Sequence, residues 1–533
     1  MTPGTPPFGP DGEPRRREAS RPQSNDQLSR HAIHGFLWLL STGAAQGVVQ
    51  IVTLMLLARL LGPEPFGIVG GALIVMRVAD LVSKLGVGQA LVQRQQVDEA
   101  HIAAALLFFV GWGALVTLVL VAAAPLFAVL IGIRELTQIV PVMAFGILAS
   151  NLSEVSMALL RRDLRFRGLT VAQALSYIVA YGPIALGMAL LGFGVWSLAW
   201  AFVCQLAIKS AILVVIGPHR WSLRGTATAM RELMTFGGGM TGWRLANRAS
   251  KELDNLVVAR MLGAEALGLY RRAYQLSVTP ADFFARSMAT IAFPVATKLR
   301  GPEQLARGYL LAVSGVAIIG LPLGVFMAVV APELVTALLG QQWLTASVPL
   351  AILSLGLIFH LNQQVIGSIA AAAGAVYESA WRQVVLAAAV VIGALIGQVW
   401  GLAGVASGVL VALVLNYLSM SRLASRLTGL SLRSMLLVHV PAAILTLVVG
   451  GAALATRALT VGMGAPSSVV LLACTSFAAL ATTASVRLWP NLLLGTGGLW
   501  WVERVLNALP RRYARLVAGI IGRPYKPRTA AAT

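Results

Sequence analysis

The side chains best suited to bind a ligand lie close together in one apolar stretch of the chain. Arg244, Arg248 and Lys251 are spaced by 4 and 3 residues, so they share one face of a helix. Asn247 and Asp254 lie beside that face. Fixed positive charge in apolar surroundings offsets the charge of a phosphate, and arginine binds phosphate through two parallel hydrogen bonds. The pattern therefore predicts a binding site for a phosphate-bearing ligand.

A second charged set lies in an earlier apolar stretch. Arg77, Asp80 and Lys84 are spaced by 3 and 4 residues and also share one helical face. They either form an internal ion-pair network or line a cavity in which a substrate phosphate competes for the two cations, and the sequence leaves both open. Glu154 is either a protonatable coupling site or the partner of an arginine in segment 161–167, and the second role is favoured.

The composition identifies the elements that must position these residues. With glycine counted and tyrosine left out, about 65% of the 533 residues are apolar, against about 45–50% in a soluble domain. Charged residues make up 11%, whereas a soluble surface needs about 25%. We conclude that the chain is a polytopic membrane protein.

A membrane location also supplies an alternative role for the first charged set. Charges inside a membrane span are costly and usually face a cavity or a partner. Near the cytoplasmic end of a span, however, a long cation can reach the lipid headgroups, and Arg244 is the residue most open to that role. Lys251 and Asp254 lie deeper and could pair with each other or with a neighbouring helix.

Fourteen apolar stretches are long enough to cross the membrane, which takes about 20 residues per helix. They do not alternate in polarity as barrel strands do, so helices are predicted. The fourteen predicted spans are 32–58, 65–92, 101–131, 138–160, 168–191, 194–216, 233–261, 266–295, 306–330, 346–374, 380–400, 402–421, 434–456 and 466–487.

The net charge of +21 comes from 41 Lys and Arg residues against 20 Asp and Glu residues. Loops that follow even-numbered spans hold fifteen basic residues, and those that follow odd-numbered spans hold four to six. Because basic loops favour the cytoplasm, we expect both termini there and no nucleic-acid partner. Residues 1–30 are predicted to be a disordered tail. Residues 489–533 are predicted to be a basic amphipathic tail at the membrane surface, in preference to a partner-binding tail.

An internal repeat organises the predicted spans. The segment Ala58–Gly67 reappears as Ala259–Gly268, with six of ten positions identical at an offset of 201 residues. Each copy follows the first helix of its half, where Gly62 and Gly263 supply the left-handed backbone that ends a helix. Six helices separate the copies, so both enter the membrane in the same orientation.

Parallel repeats predict an all-α fold of two six-helix lobes with the substrate between them. The predicted lobes cover 31–217 and 218–430, and two extra helices cover 431–488. The same offset aligns Asn247, Lys251 and Asp254 with Gln46, Gln50 and Thr53 of the first span. The sequence thus predicts a cavity with a neutral first lobe and a cationic second lobe, lined by these residues and the second charged set.

Two further patterns concern packing. Gly393 and Gly397, and Gly404 and Gly408, are small-xxx-small pairs that predict close helix contact. The polar run 360–364 in the tenth span is a candidate for contacts to sugar hydroxyls, although a histidine in a span is more often hydrogen-bonded within the packing.

Several separated motifs of the chain resemble those of a known family. The two repeat copies occur in order with GVGQALVQR, LLRRDLRFRGL, LLGFGVWSL and LDNLVVARMLGAEALGLYRRAYQL, which begin at Gly86, Leu159, Leu190 and Leu253. Over residues 30–430 these motifs resemble the polysaccharide-transporter branch of the multidrug/oligosaccharidyl-lipid/polysaccharide exporter superfamily. The resemblance implies a flippase that moves undecaprenyl-diphosphate-linked oligosaccharide units of exopolysaccharide, O-antigen or capsule across the bacterial inner membrane by alternating access.

The resemblance also implies the partners. These are the lipid-linked glycan, membrane lipids, a coupling ion such as H⁺ or Na⁺, and other polysaccharide assembly proteins. The sequence itself has no phosphate-binding Walker loop, no metal-ligand spacing and no catalytic triad, so we expect neither a cofactor nor an enzymatic activity.

Three alternatives remain. A flippase for a peptidoglycan lipid precursor would need similar cations. A drug or cation antiporter of the same superfamily would need an acidic and aromatic site, whereas the charges here are mainly cationic. A polysaccharide polymerase or ligase would carry its functional residues on a large external loop, whereas all odd-numbered loops are short.

Overall fold

The computed structural model describes residues 47, 49–94, 96–217, 225–234, 252–296, 301–508 and 518–519. Every regular element in those ranges is helical. The apolar runs explain this result, because a helix satisfies its own backbone groups where lipid supplies no hydrogen-bond partner. The chain is an all-helical, multi-pass membrane protein.

The helices before residue 217 follow the order of the first six predicted spans. They are α1 (Val49–Leu61), α2 (Pro63–Lys84), α3 (Val87–Gln93), α4 (Glu99–Ala122), α5 (Ala124–Ile131), α6 (Leu136–Leu152), α7 (Glu154–Arg162), α8 (Phe166–Val179), a π-helix (Ala180–Leu186), α9 (Gly187–Leu190) and α10 (Val195–Ile216).

The helices after residue 225 include a short α11 and a long, kinked α12. They are α11 (227–234), α12 (Leu253–Ala296), α13 (Pro302–Val329), α14 (Ala331–Leu338), a 3₁₀ turn (Gln341–Ala346), α15 (Ser347–Leu355), α16 (Leu357–Ala372), α17 (Val376–Gly397), a 3₁₀ turn (Gln398–Trp400), α18 (Gly401–Thr428), α19 (Leu432–Leu437), α20 (Val440–Gly462), α21 (Ser467–Leu488) and α22 (Pro490–Ala508).

Eight helical segments of the described ranges are long and apolar enough to span a membrane, and two bent pairs raise the number to as many as ten. The segment Tyr377–Thr428 contains two predicted spans, and α12 contains the end of the seventh and all of the eighth. Most of the predicted first span and residues 235–251 of the seventh lie outside the described residues. The count of fourteen therefore stays a prediction.

Both glycines of the repeat adopt the positive φ that was predicted. Gly62 has φ 73° and ψ −178°, and Gly263, at the kink of α12, has φ 87° and ψ −176°. The extended ψ differs from the left-handed helical conformation that we expected. This combination is essentially restricted to glycine, because a Cβ atom would clash with the backbone.

The two repeat copies cross each other at a second pair of glycines. A Cβ atom on Gly67 would overlap the carbonyl oxygen of Ala264, and one on Gly268 would overlap that of Pro63. The offset of 201 residues exchanges these two contacts with each other. Helices α2 and α12 thus meet backbone to backbone at equivalent positions of the repeat.

The end of α1 is held by residues that follow α14. Gln342 Nε2 donates to the carbonyl oxygen of Ala58 over 2.8 Å, and Trp343 Nε1 donates to the same oxygen over 2.9 Å. The same oxygen also accepts from the backbone N–H of Gly62 over 3.2 Å, so the two side chains reinforce the last hydrogen bond of α1. Trp343 is fully buried and meets the ring of Phe66 edge to face.

The predicted glycine pairs also lie at a close helix contact. A Cβ atom on Gly393 or Gly397 of α17 would overlap the backbone of Gly408 or Gly404 of α18. The prediction of close packing at these pairs is therefore confirmed.

Candidate functional site

Half of the predicted site lies outside the described residues. That half comprises Gln46, Arg244, Asn247, Arg248 and Lys251, so their arrangement stays a prediction. The described half is distributed over three helices. Gln50 lies in α1, Arg77, Asp80 and Lys84 lie in α2, and Asp254 lies in α12.

Arg77 forms an ion pair that joins distant parts of the chain. Its Nη1 bonds to Oε1 of Glu252, 175 residues away, and Asn255 Nδ2 donates to Oε2 of the same carboxylate over 3.3 Å. The Glu252 side chain is 5% exposed and that of Arg77 is 38% exposed. The carboxylate is therefore buried, whereas part of the guanidinium remains accessible to another anion.

Lys84, one helical turn beyond Asp80, has different partners. Its Nζ lies 2.8 Å from Asp80 Oδ1 and 3.2 Å from Glu154 Oε2. Lys209 of α10 lies within electrostatic range of all three groups. Lys84 thus belongs to an ion-pair network among the helices before residue 217. Among the described residues, only Arg77 of the second charged set pairs with a residue after position 225.

Glu154 pairs with a different residue from the one that its sequence neighbourhood predicted. We expected it to pair with an arginine of segment 161–167, and its ion-pair partner among the described residues is Lys84 instead. Arg162 donates to the carbonyl oxygens of Leu91 and Arg94. The bend between α6 and α7 precedes Glu154 and directs its side chain toward α2.

Asp254 is buried against its own helix. Its Oδ2 accepts a hydrogen bond from Tyr270 Oη over 3.1 Å, across the kink at Gly263. Both side chains are buried. The contact stabilises the kinked form of α12, so the described partners of Asp254 indicate a role in packing.

The polar run 360–364 joins helices. Asn362 Nδ2 lies 3.3 Å from Nε2 of His439, which directly precedes α20. Gln363 Nε2 donates to Gln383 Oε1 of α17 over 2.7 Å. These two amides therefore contribute hydrogen bonds to the packing of α16.

A further charged cluster lies at the end of a span, where the start of α4 meets α11. Arg94 pairs with Glu232, and the two ring nitrogens of His101 lie 2.5 Å from Asp98 and 3.2 Å from Glu232. The backbone N–H of His101 lowers the pKa of Asp98, and hydrogen bonds from His101 and then Arg94 lower the pKa of Glu232. The cluster attaches α11, near the start of the second predicted lobe, to the first part of the chain.

Sequence analysis missed Glu252, Lys209 and the depth of Arg272. Glu252 lies next to Lys251 and outside the face that carries the cations, and Lys209 is a single cation within a long apolar run. The position of Lys209 inside a span could have identified it, because a charge within a span usually faces a cavity or a partner. Arg272 was predicted to lie just inside the eighth span, and it lies nine residues past Gly263. In the described ranges, no group of three or more His, Cys, Asp or Glu side chains could hold a metal ion.

Comparison with known proteins gives a consistent result. Residues 56–349 match the family described as "Polysaccharide biosynthesis protein". The teichuronic acid biosynthesis protein TuaB of Bacillus subtilis is 24% identical over 354 residues, which are 65% of this chain and 72% of TuaB. The succinoglycan biosynthesis transport protein ExoT of Rhizobium meliloti is 28% identical over 319 residues, which are 58% of this chain and 62% of ExoT.

Two solved structures share the fold. The lipid II flippase MurJ in an inward closed conformation superposes with a TM-score of 0.70 and 13% identity, covering 86% of this chain and all of MurJ. An inward-facing multidrug resistance MATE transporter of the MOP superfamily superposes with a TM-score of 0.55 and 17% identity, covering 72% of this chain and 96% of that one. At these identities the likeness concerns the fold alone.

Proposed function

The chain belongs to the polysaccharide biosynthesis protein family, whose match covers residues 56–349, and from this premise we propose that it is a lipid-linked oligosaccharide flippase. It moves undecaprenyl-diphosphate-linked repeat units of exopolysaccharide, O-antigen or capsule across the bacterial inner membrane. The mechanism is alternating access, with no covalent step. The names of its relatives, which include a transport protein for succinoglycan biosynthesis, support this function over that of a drug antiporter.

The observation that carries the site assignment is the ion pair between Arg77 and Glu252. A partly exposed guanidinium is held by one buried carboxylate from a distant part of the chain. A diphosphate has the same bidentate geometry and more charge, so it competes with Glu252 for Arg77. Arg244, Arg248 and Lys251 add positive charge on the segment that precedes Glu252.

The proposed architecture has fourteen spans, both termini in the cytoplasm, two lobes at 31–217 and 218–430, and two extra helices at 431–488. The reciprocal contacts of Gly67 with Ala264 and of Gly268 with Pro63 support two lobes related by a two-fold axis along the membrane normal. Substrate binding between the lobes is then a consequence of the architecture. A proton or sodium gradient supplies the driving force, and other polysaccharide assembly proteins are the downstream partners.

The function is tested by locating the lipid-linked repeat unit in cells that lack this protein. A membrane-impermeant glycan-modifying reagent, applied to spheroplasts and to inverted vesicles, reports the face on which the unit lies. We expect the unit to accumulate on the cytoplasmic face, with its synthesis intact, and to return to the outer face on complementation. Loss of synthesis would instead indicate an enzyme, and an unchanged distribution would exclude a flippase.

A further inference from the structure

A cation near the start of the eighth predicted span lies deep along α12. Arg272 is nine residues past the kink at Gly263, about 13 Å along the helix axis. Its guanidinium carbon lies 4.4 Å from the ring centroid of Phe66 in α2, and one of its nitrogens donates to Gln275 Oε1. A helix from the later part of the chain thus places a positive charge against a helix from the earlier part.

Two tyrosines lie within electrostatic range of the same charge. Tyr177 and Tyr181 stack with ring centroids 4.6 Å apart and an interplanar angle of 16°, and Arg272 lies within electrostatic range of both. Tyr181 lies in the π-helix Ala180–Leu186. Such local widening of a helix is often found at functional sites. Tyr177, Tyr181 and Arg272 are all partly exposed, so a ligand can reach them.

The partners of Arg272 differ from those of three other cations in the helices. Arg77, Lys84 and Arg457 each pair with a carboxylate. In the ranges that the structure covers, no carboxylate lies at ion-pair distance from Arg272. An intramembrane cation that meets rings and an amide in place of a carboxylate is costly to maintain, and an anionic ligand removes that cost.

The distance to Arg77 distinguishes two sources of that anion. Phe66, beneath the Arg272 guanidinium, and Arg77 are eleven residues apart on α2, about 16 Å along the axis. A diphosphate held at Arg77 does not reach Arg272, whereas the sugars attached to it do. The tyrosine rings also favour a sugar as the ligand, because an aromatic face packs on the apolar face of a sugar ring and offers little to a phosphate.

We propose that Arg272, Phe66, Tyr177 and Tyr181 form a subsite for a carboxylate-bearing sugar ring in the glycan part of the substrate. The stacked tyrosines pack against the ring, and the guanidinium binds the carboxylate through two hydrogen bonds. The subsite rests on the proposed flippase function and adds to it a selectivity for acidic glycans.

The test compares three probes on the purified full-length protein in nanodiscs. They are an undecaprenyl-diphosphate-linked oligosaccharide with one glucuronic acid, the same compound with that carboxyl reduced to an alcohol, and undecaprenyl diphosphate. The wild type is expected to bind the acidic probe about 10- to 100-fold more tightly than the reduced one. Arg272→Gln abolishes this ratio and leaves the affinity for undecaprenyl diphosphate unchanged, and Arg272→Lys retains part of the ratio. Arg134→Gln, a change at an exposed arginine, leaves all three affinities unchanged.

Equal binding of the acidic and reduced probes by the wild type would overturn the subsite. So would an equal loss for all three probes in Arg272→Gln, since that result identifies the diphosphate as the ligand of Arg272 or a purely structural role. Failure of the wild type to bind any probe would instead refute the proposed function.

A second variant keeps the test decisive if Arg272→Gln does not fold. Tyr181→Ala removes one ring and no charge, so it is expected to weaken the acidic and the reduced probe equally, by about 3- to 10-fold. Their ratio and the affinity for undecaprenyl diphosphate stay as in the wild type. Unchanged affinity for both glycan probes would overturn the role of the tyrosine pair.

Discussion

At the scale of single residues, the partners of each cation decide what it can do. Lys84 lies between two carboxylates from its own part of the chain, so its charge is already neutralised locally. Arg77 has its buried carboxylate partner on a distant segment and remains partly exposed. Spacing within α2 places these two cations on one face, but it carries no information about the helices opposite that face.

Replacing Glu252 separates competition from simple stabilisation. Glu252→Gln removes the anion that occupies Arg77, so binding of undecaprenyl diphosphate is expected to tighten by about 3- to 10-fold, whereas Arg77→Gln weakens it at least about tenfold. Both are measured per folded protein, because breaking a buried ion pair lowers stability.

Glu333→Gln is the matched control for that experiment. It breaks the ion pair with Arg457, whose Nε lies 2.8 Å from the carboxylate, within the helices after residue 301. We expect Glu333→Gln to lower the stability of the protein and to leave its affinity for undecaprenyl diphosphate unchanged. Equal effects of Glu252→Gln and Glu333→Gln on affinity would contradict the competition between substrate and Glu252.

At the scale of elements, the crossing of α2 and α12 depends on the absence of two side chains. Gly67 and Gly268 bring the two backbones together at equivalent positions of the repeat. Interiors at native packing density do not accept an added methyl group without moving the neighbouring helices.

Gly268→Ala is therefore expected to lower the thermal stability of the purified protein, with a cost of about 1–3 kcal/mol. Gly111→Ala in α4 is the control, because nothing lies within 4 Å of the added Cβ, and there alanine should stabilise the helix by up to about 1 kcal/mol. Thermal unfolding in one detergent compares the two variants. Equal melting temperatures would show that α2 and α12 can move apart at this crossing without loss of stability.

At the scale of the whole molecule, one electrostatic cluster attaches α11, near the start of the second predicted lobe, to the start of α4. Asp98 and Glu232 both have a lowered pKa in the folded protein, because His101 and Arg94 donate hydrogen bonds to their charged forms. A lowered pKa means that the attachment of α11 is fully present above the unfolded values of 3.8 and 4.5. It is lost as the pH falls through the folded values.

Hydrogen exchange of residues 227–234 is expected to accelerate as the pH is lowered below about 4.5, after correction for the intrinsic rate. In Glu232→Gln the exchange should be faster at neutral pH and depend less on pH. Glu135→Gln, at an exposed site before α6, is the control and should match the wild type. Exchange without pH dependence in the wild type would exclude this attachment.

Several features of this protein were accessible from sequence because they depend on local chemistry. Composition determined the membrane class, since apolar runs of this length cannot be covered by so few charges. The repeat located Gly62 and Gly263, since a sharp turn after a helix requires a backbone that glycine alone adopts. The glycine pairs of α17 and α18 were recognised for the same reason, because missing side chains are visible in the sequence itself.

The pairing of charges was decided only by the tertiary structure. Glu154 met Lys84 in place of a nearby arginine, and Arg77 met Glu252 across 175 residues. Arg272 was placed over the ring of Phe66 and within electrostatic range of Tyr177 and Tyr181, far from all three in sequence. The physical reason is that an ionisable side chain in a membrane responds to whatever group the neighbouring helix presents within a few ångströms, and the helical period specifies a face but not its neighbour.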